Sequence, residues 1–572
     1  MDRRSTFCHL VVASTMLLAG CQQQASVSLD EAKKITTAFQ GQDFTAPPRS
    51  IADITAILDE QKPDPTKAAA NRAAADRQPP AGAAPGELAR FYYDRGLAAA
   101  ELGRTTQRVA DFREALKQGR AANIDITRSL EALVQAEFSA GSRKAALAIA
   151  EELLAAQKSS GGQHIGDYGL VAKARLFTGD IAGAERALTE AQGIFDSLPK
   201  EAARAWPIFS DHWRSLLETS RSMILQETGR YAEAERAARL AVASEERAIP
   251  HYDQMRVVGR NMFPRGQMER SVELMRTVHA MTLLRQGRLA EAEVEQRRAL
   301  LNLLARYGRY SPEVGGAVSR LALIVQEQGR ASDAETLAKA AVDIFENTGS
   351  GAGSGSLATA LSGVALAQTD REHWTEARTT FDKLAKVATG DGMRDHFLDG
   401  NLTFGLVQLK TGNPAQALPI MQRAADIRLR KLGERHYDTA EARGFLAMSL
   451  VANGKRAEAL AAFRAAVPIL LQVSRQADDD ENTAGARDRR LQLILESYMG
   501  LLADSNPTQE AAVEAFRLAD AARGQSVQRA LAAASARTSV TDPALADLAR
   551  REQDAQKQIG ALEGLLSNVL AS

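Results

Sequence analysis

Hydrolytic or group-transfer chemistry needs nucleophiles, bases or metal ligands, and this sequence offers few. Two cysteines, Cys8 and Cys21, are its only thiols, and both fall in the first 21 residues. Eight histidines are spread over 572 residues, with no HExxH pair and no His/Asp cluster at ligand spacing. No serine stands in a GxSxG elbow. The run 348–356, "TGSGAGSGS", lacks the GxxxxGK[ST] and GxGxxG arrangements of phosphate-cradling loops and reads as a flexible connector between helices. His279 falls at a core-facing helical position and His212 sits beside Trp213, so both read as packed side chains. The acidic run 477–482, "ADDDEN", reads as a solvated loop. The residues therefore predict no catalytic group, no metal site and no cofactor.

The two cysteines gain a role from their surroundings. "MDRR" is basic, "FCHLVVASTMLLAG" is largely apolar, and small residues close the run. That is the build of a secretory signal peptide, too short for a permanent membrane helix of about 20 apolar residues. Leu18-Ala19-Gly20-Cys21 resembles the bacterial lipobox. The resemblance implies removal of residues 1–20 and lipid attachment to Cys21. With Gln22 rather than aspartate following, the sorting rule implies the outer membrane, with the body in the periplasm. Cys8 then leaves with the signal and Cys21 carries lipid, which leaves no thiol for a disulfide, a nucleophile or a metal.

The mature chain must then hold together by packing. Hydrophobic residues make up 45% and charged residues 25%, as in a soluble globular chain of several domains or one long array. Lys+Arg and Asp+Glu are 71 each, so the basic excess that drives phosphate-backbone binding is missing and nucleic acid is not an expected partner. Aromatic residues are only 5% while alanine is abundant, which points to helices packed closely through small side chains.

Residues 21–86 read as a tether. Two weak helical stretches, "LDEAKKITTAF" and "IADITAILDEQ", alternate with "TAPPRS" and "KPDPTKAAANRAAADRQPPAGAAPG". Proline, glycine, alanine and charge without an apolar face do not offset chain entropy. A disordered tether of this length spans roughly 45 Å root-mean-square. The alternative is that the short helices dock on the body.

From residue 87 the chain repeats itself. "ETGRYAEAERAARLAV" (227–242), "RQGRLAEAEVEQRRAL" (285–300), "EQGRASDAETLAKAAV" (327–342) and "ANGKRAEALAAFRAAV" (452–467) share a glycine with alanine five positions later. Small residues recur at spacings of 12 and 7: Ala172/Ala184/Ala191, Ser222/Ala234/Ala241, Ala280/Ala292/Ala299, Ala322/Ala334/Ala341, Gly405/Ala417/Ala424 and Ala447/Ala459/Ala466. Val134/Ala146/Leu153 and Ala365/Ala377/Leu384 are degraded versions, the latter with Glu372 in the glycine position. Gly500/Ala512/Ala519 fits around Pro507, and a weak first unit surrounds Gly103. Such spacing builds helix–turn–helix units: the first two small residues let helices A and B approach, the third admits the next helix A, and the glycine ends helix A.

This signature resembles the tetratricopeptide repeat, over residues 87–525 in about ten units. Gly287, Gly329, Glu372, Gly412 and Gly454 are 42, 43, 40 and 42 apart, longer than the usual 34 or so. With "YGRYSPEVGGAVSRLALIVQEQGR" and "LGERHYDTAEARGFLAMSLVANGK", the units look like the longer variant of kinesin light chains. Wider gaps, 179 to 229 and 229 to 287, predict insertions or longer helices. A HEAT-type solenoid shares the pitch but not the 12-and-7 spacing. The resemblance implies an all-α, right-handed superhelical solenoid whose A helices line a concave, partner-binding face. Its outward positions, two, six and ten before the glycine, are Arg285, Met281 and Thr277; Glu327, Leu323 and Ser319; and Lys410, Leu406 and Leu402.

Residues 526–572 read as a C-terminal helical connector. "AVEAFRLADAARGQSVQRALAAASAR" (512–537) and "DPALADLARREQDAQKQIGALEGLLSNVL" (542–570) resemble the coiled-coil-like helix pair after tetratricopeptide arrays in CHAT-domain proteins. There a caspase-like domain with a His/Cys dyad follows. The expectation is a chain truncated before that domain, hence without enzyme activity. Two functions follow: a lipid-anchored periplasmic scaffold binding a peptide or protein of the cell envelope, or the regulatory arm of a CHAT-type protease.

Overall fold

The computed structural model describes residues 50–60, 65–156, 161–258, 265–389, 391–477, 485–504 and 508–523. Cys21, the expected signal peptide at 1–20 and the expected connector at 526–572 lie outside the described residues. Within them every regular element is helical. Two helices precede the array, α1 (Ala52–Glu60) and α2 (Pro65–Ala75). Ten antiparallel A/B pairs follow: α3 (Pro85–Glu101)/α4 (Thr105–Ala121), α5 (Thr127–Ser139)/α6 (Arg143–Ala156), α7 (Gln163–Thr178)/α8 (Ile181–Glu201), α9 (Trp206–Glu227)/α10 (Tyr231–Ala248), then, after a short α11 (Tyr252–Val258), α12 (Arg265–Arg285)/α13 (Leu289–Tyr307) and α14 (Pro312–Glu327)/α15 (Ala331–Thr348). The seventh pair is α16 (Gly355–Asp370)/α17 (Trp374–Val387). After a single-turn α18 (Asp391–Arg394) and a π-helical turn at Asp395–Asp399 come α19 (Leu402–Lys410)/α20 (Pro414–Leu432), α21 (Tyr437–Ala452)/α22 (Arg456–Ala477) and α23 (Gly485–Asp504)/α24 (Gln509–Arg523). The wide gaps are filled by long α8 and α9 and by α11.

Seven A/B turns are built on glycine as the small-residue spacing requires. Gly141, Gly179, Gly229, Gly287, Gly329, Gly412 and Gly454 all have positive φ, between 72° and 86°. That is the left-handed cap a helix end takes when no Cβ opposes it. Ala280, Ala292 and Ala299 are 0% exposed, as are Ala417, Ala424, Ala447, Ala459 and Ala466. In Gly405 a Cβ would stand 2.9 Å from the Met421 side chain, so the helix pair closes onto that position. The kinesin-like turns cap helix A with a side chain: Ser311 accepts from the Val314 amide at 3.3 Å and His436 from the Asp438 amide at 3.2 Å.

The last unit departs from the pattern. Gly500 and Ala512 are exposed. Tyr498 takes the helix contact, its ring stacked on Phe463 with centroids 4.8 Å apart and its hydroxyl donating to Glu514. Phe463 belongs to α22 and Glu514 to α24, so Tyr498 ties α23 to both neighbours.

The tether alternative resolves as docking for the described part. Ile51, Ile54, Ile57 and Leu58 join the core formed by Leu300, Leu303 and Leu304 of α13. Asp53 forms a 2.5 Å ion pair with Arg297, which is fully buried and also bound by Glu293 at 2.8 Å. The alanine-rich α2 has no apolar stripe, and the chain just after it is held through its backbone: Gln107 donates to the Ala75 carbonyl at 2.6 Å and Arg95 to the Arg77 carbonyl at 2.9 Å.

The superhelix closes on itself between successive coils. The Gly-rich run after α15 lies against the turns of the first two units. A Cβ on Gly355 would meet the Ser139 carbonyl oxygen at 2.7 Å, and one on Gly349 the Leu102 carbonyl oxygen at 3.1 Å. Thr106 donates to the Ala352 carbonyl at 3.3 Å. The run is thus a connector whose glycines admit a neighbouring backbone, while its Ser354 caps α16 by accepting from the Leu357 amide at 3.3 Å.

Candidate functional site

Because the coils close, the inner faces of the A helices surround a bore. A cavity of about 690 Å³ lies where units four to ten converge. Of the residues expected to face a partner, Arg285, Glu327, Leu402 and Leu406 line it. The same register in other units supplies Glu227, Asp370, Leu366 and Ser362. Thr277, Met281, Ser319, Leu323 and Lys410 do not line it. Thr277 is 5% exposed and turned onto its own helix, donating to the Glu273 carbonyl at 2.9 Å, and Ser319 likewise bonds the Gly315 carbonyl at 3.0 Å. Lys410 lies with its ammonium 5.7 Å from the Trp374 ring centroid.

Other walls come from elements that repeat register does not reach. Arg143 enters from the second unit, Asp395, His396 and Phe397 from the π-helical turn, Ile427, Arg428 and Lys431 from α20, and Arg489 and Arg490 from α23. Only superhelical closure brings them together. Half-buried Leu366, Trp374, Ile427 and Leu432 give the cavity an apolar surface among these charges.

The charges are unevenly matched. At one end Arg490 is held by Glu441 at 2.8 Å and by Glu327 at 3.9 Å, and Arg489 donates to the Asp370 carbonyl. Burial raises the Asp370 carboxyl above its ordinary range, against the pull of Arg490 and Arg489. At the other end Lys431 pairs with Glu227 at 3.4 Å, while Arg143, Arg285 and Arg428 form no ion pair among the described residues. Burial lowers the Arg428 guanidinium, and Arg285 lowers it further, partly offset by Glu441 and Asp438. His396 is pushed below the ordinary imidazole value, first by desolvation within the cavity walls and then by Arg143, Lys431 and Arg428. Outside this cavity, Lys173 of α7 is lowered to about 8 by burial and by Arg320 of α14.

The histidines singled out by sequence are packed. His212 bonds Glu245 at 2.9 Å, but Ser215 donates to that same carboxylate at 2.5 Å rather than to the imidazole, so no nucleophile–base pair forms. Trp213 stacks on Phe209 at 5.3 Å and lies over Gly162 of the preceding unit, an inter-repeat contact. His279 bonds Glu235 at 3.1 Å and is 9% exposed. Among the described residues no group of three His, Cys, Asp or Glu side chains is placed to hold a metal, and no helix is long and apolar enough to cross a membrane.

Helical hairpins with left-handed turns, small-residue contacts and an enclosed bore define a repeat solenoid. The tetratricopeptide-repeat pattern matches residues 396–472 and 89–118, so those segments are tetratricopeptide repeats. Similar solved structures include a Rap protein complexed with competence and sporulation factor, at 14% identity and TM-score 0.32, covering 62% of this chain and 98% of that one. The apo form of RapI is similar at 10% identity and TM-score 0.35, covering 68% of this chain and 99% of that one. No curated protein matches.

Proposed function

We propose that this chain is a scaffold that takes a peptide or protein segment into its bore, held to the bacterial outer membrane by lipid on Cys21 and facing the periplasm. The observation carrying the first part is the 690 Å³ cavity, lined by both apolar side chains and charges from A helices, B helices and the π-helical turn. Protein segments bind such surfaces through apolar anchors, with charges setting orientation. The lipobox-like Leu18–Cys21 supports the anchor. The connector-like sequence from 512, whose first part folds as α24, supports a second reading, the regulatory arm of a CHAT-type protease.

The test is to identify the partner by cross-linking in the envelope and to measure its affinity for variants. Arg285→Ala with Glu327→Ala weakens binding by about tenfold or more. Lys410→Ala, outside the cavity, leaves it unchanged. Cys21→Ser releases the protein from membranes. Equal affinity in all variants would move the interface off the bore, and unchanged membrane attachment of Cys21→Ser would remove the anchor.

A further inference from the structure

One end of the cavity carries cations that the fold does not neutralise. Arg143, Arg285 and Arg428 line it together with His396 and Lys431, and they come from units two, five and eight and the π-helical turn. Of these, only Lys431 has a carboxylate within ion-pair distance among the described residues, Glu227 at 3.4 Å. Arg143 spends one N–H on the Phe177 carbonyl at 3.3 Å, and Arg428 one on its own helix at the Ala424 carbonyl, 3.2 Å away. The nearby carboxylates are engaged or held apart. Glu441 is taken by Arg490, Asp395 by Arg423 at 3.0 Å, and Asp438 makes no ion pair with Arg428. Guanidinium groups gathered in an enclosed site, each with donors to spare, cost self-repulsion unless an anion joins them. Beside them lie Leu402, Leu406 and Ile427, an apolar floor that an inorganic anion would leave unused.

We infer that this end of the bore receives the carboxylate of an acidic side chain in a bound peptide, whose neighbouring apolar side chain rests on Leu402, Leu406 and Ile427. The inference rests on the bore being a peptide site and specifies its ligand. A consequence concerns His396, which faces Arg143, Arg428 and Lys431, adjoins Asp395 in sequence and contacts the Phe397 ring at 4.7 Å. Burial and these three cations favour the neutral imidazole. A bound carboxylate raises its pKa, so binding takes up a proton. Affinity therefore rises as pH falls from about 8 towards 6, and falls again where the ligand's own carboxylate, near 4.3 for glutamate, is protonated.

The experiment is selection from a displayed random heptapeptide library on the full chain, beside Arg285→Gln/Arg428→Gln, with thermal unfolding to show that the variant folds. The expected result is enrichment of Asp or Glu next to Leu, Ile or Phe. In the variant the acidic enrichment disappears and the apolar enrichment remains. A synthetic peptide of the selected sequence should bind at least fivefold tighter at pH 6 than at pH 8, and His396→Phe should flatten that slope. Peptides selected without acidic enrichment, or acidic enrichment retained by the variant, would overturn the inference while leaving the bore as a peptide site. No selected peptide at all, or saturable binding of inorganic phosphate alone, would overturn both.

Discussion

Glu372 occupies the turn position that glycine holds in the neighbouring units, and it pays for this with φ of +59°. A residue with a Cβ is held in the left-handed region at a cost of roughly 1 kcal/mol. Glu372→Gly is therefore expected to stabilise the chain by about 0.5–1 kcal/mol, measured as a higher urea midpoint with unchanged slope. A lower midpoint would mean that its carboxylate, on the cavity rim, contributes more than the strain takes away. The turn chemistry was readable from sequence because a helix end has few solutions: the 12-and-7 spacing located Glu372 as a glycine substitute, and its backbone obeys. The cationic cluster was not readable in the same way. Arg285 followed from repeat register, but Arg143, His396 and Arg428 stand at unrelated positions in their own units and meet only in three dimensions.

At the scale of elements, α1 shows how a weak local signal is settled by distant partners. "IADITAILDE" has too few turns to be stable alone, since isolated helices shorter than about 12 residues are marginal in water. It holds because Ile54, Ile57 and Leu58 are buried against α13 and because Asp53 meets Arg297, 244 residues away. Arg309 adds a bond to the Leu58 carbonyl at 2.8 Å and an ion pair to Asp59 at 2.9 Å. Asp53→Ala takes one carboxylate partner from the buried Arg297, with Glu293 at 2.8 Å and the Ser50 carbonyl at 3.2 Å remaining. Removing one partner of a buried pair costs about 3–5 kcal/mol, reduced here because Glu293 remains, so a loss of about 2–3 kcal/mol is expected in chemical unfolding. Limited proteolysis should then cut near residue 60 faster than in the wild type. A loss below about 0.5 kcal/mol would mean that α1 is held by its apolar side chains and that the ion pair adds no net stability. Sequence could weigh docking against a loose tether but not decide, because Arg297 reads as one more charge on a B helix until the fold places it at the centre of a buried contact. The last unit shows the opposite failure. Gly500, Ala512 and Ala519 fit the spacing, yet Gly500 and Ala512 are exposed, and Tyr498 supplies the buried contacts, to Phe463 of α22 and Glu514 of α24.

On the scale of the whole molecule, the array is a closed coil with an enclosed bore. Coil-to-coil contacts come from backbone meeting backbone, at Gly355 with Ser139 and at Gly392 with Gly141, where a Cβ would stand 2.7 Å from a carbonyl oxygen in each case. Small rotations per unit accumulate over five or six units before these contacts form, so local pattern does not reveal them. That closure turns a concave surface into a cavity, and the central claim is that a partner segment enters it. Site-specific photo-cross-linking from inside and outside the coil tests this most directly. A benzophenone side chain at Ser362, in the cavity, is compared with one at Glu190, exposed on the B helix α8. With the partner present, cross-links are predicted from Ser362 and not from Glu190, and excess selected peptide should abolish them. Cross-links from Glu190 alone would contradict the account and place recognition on the outer face of the coil.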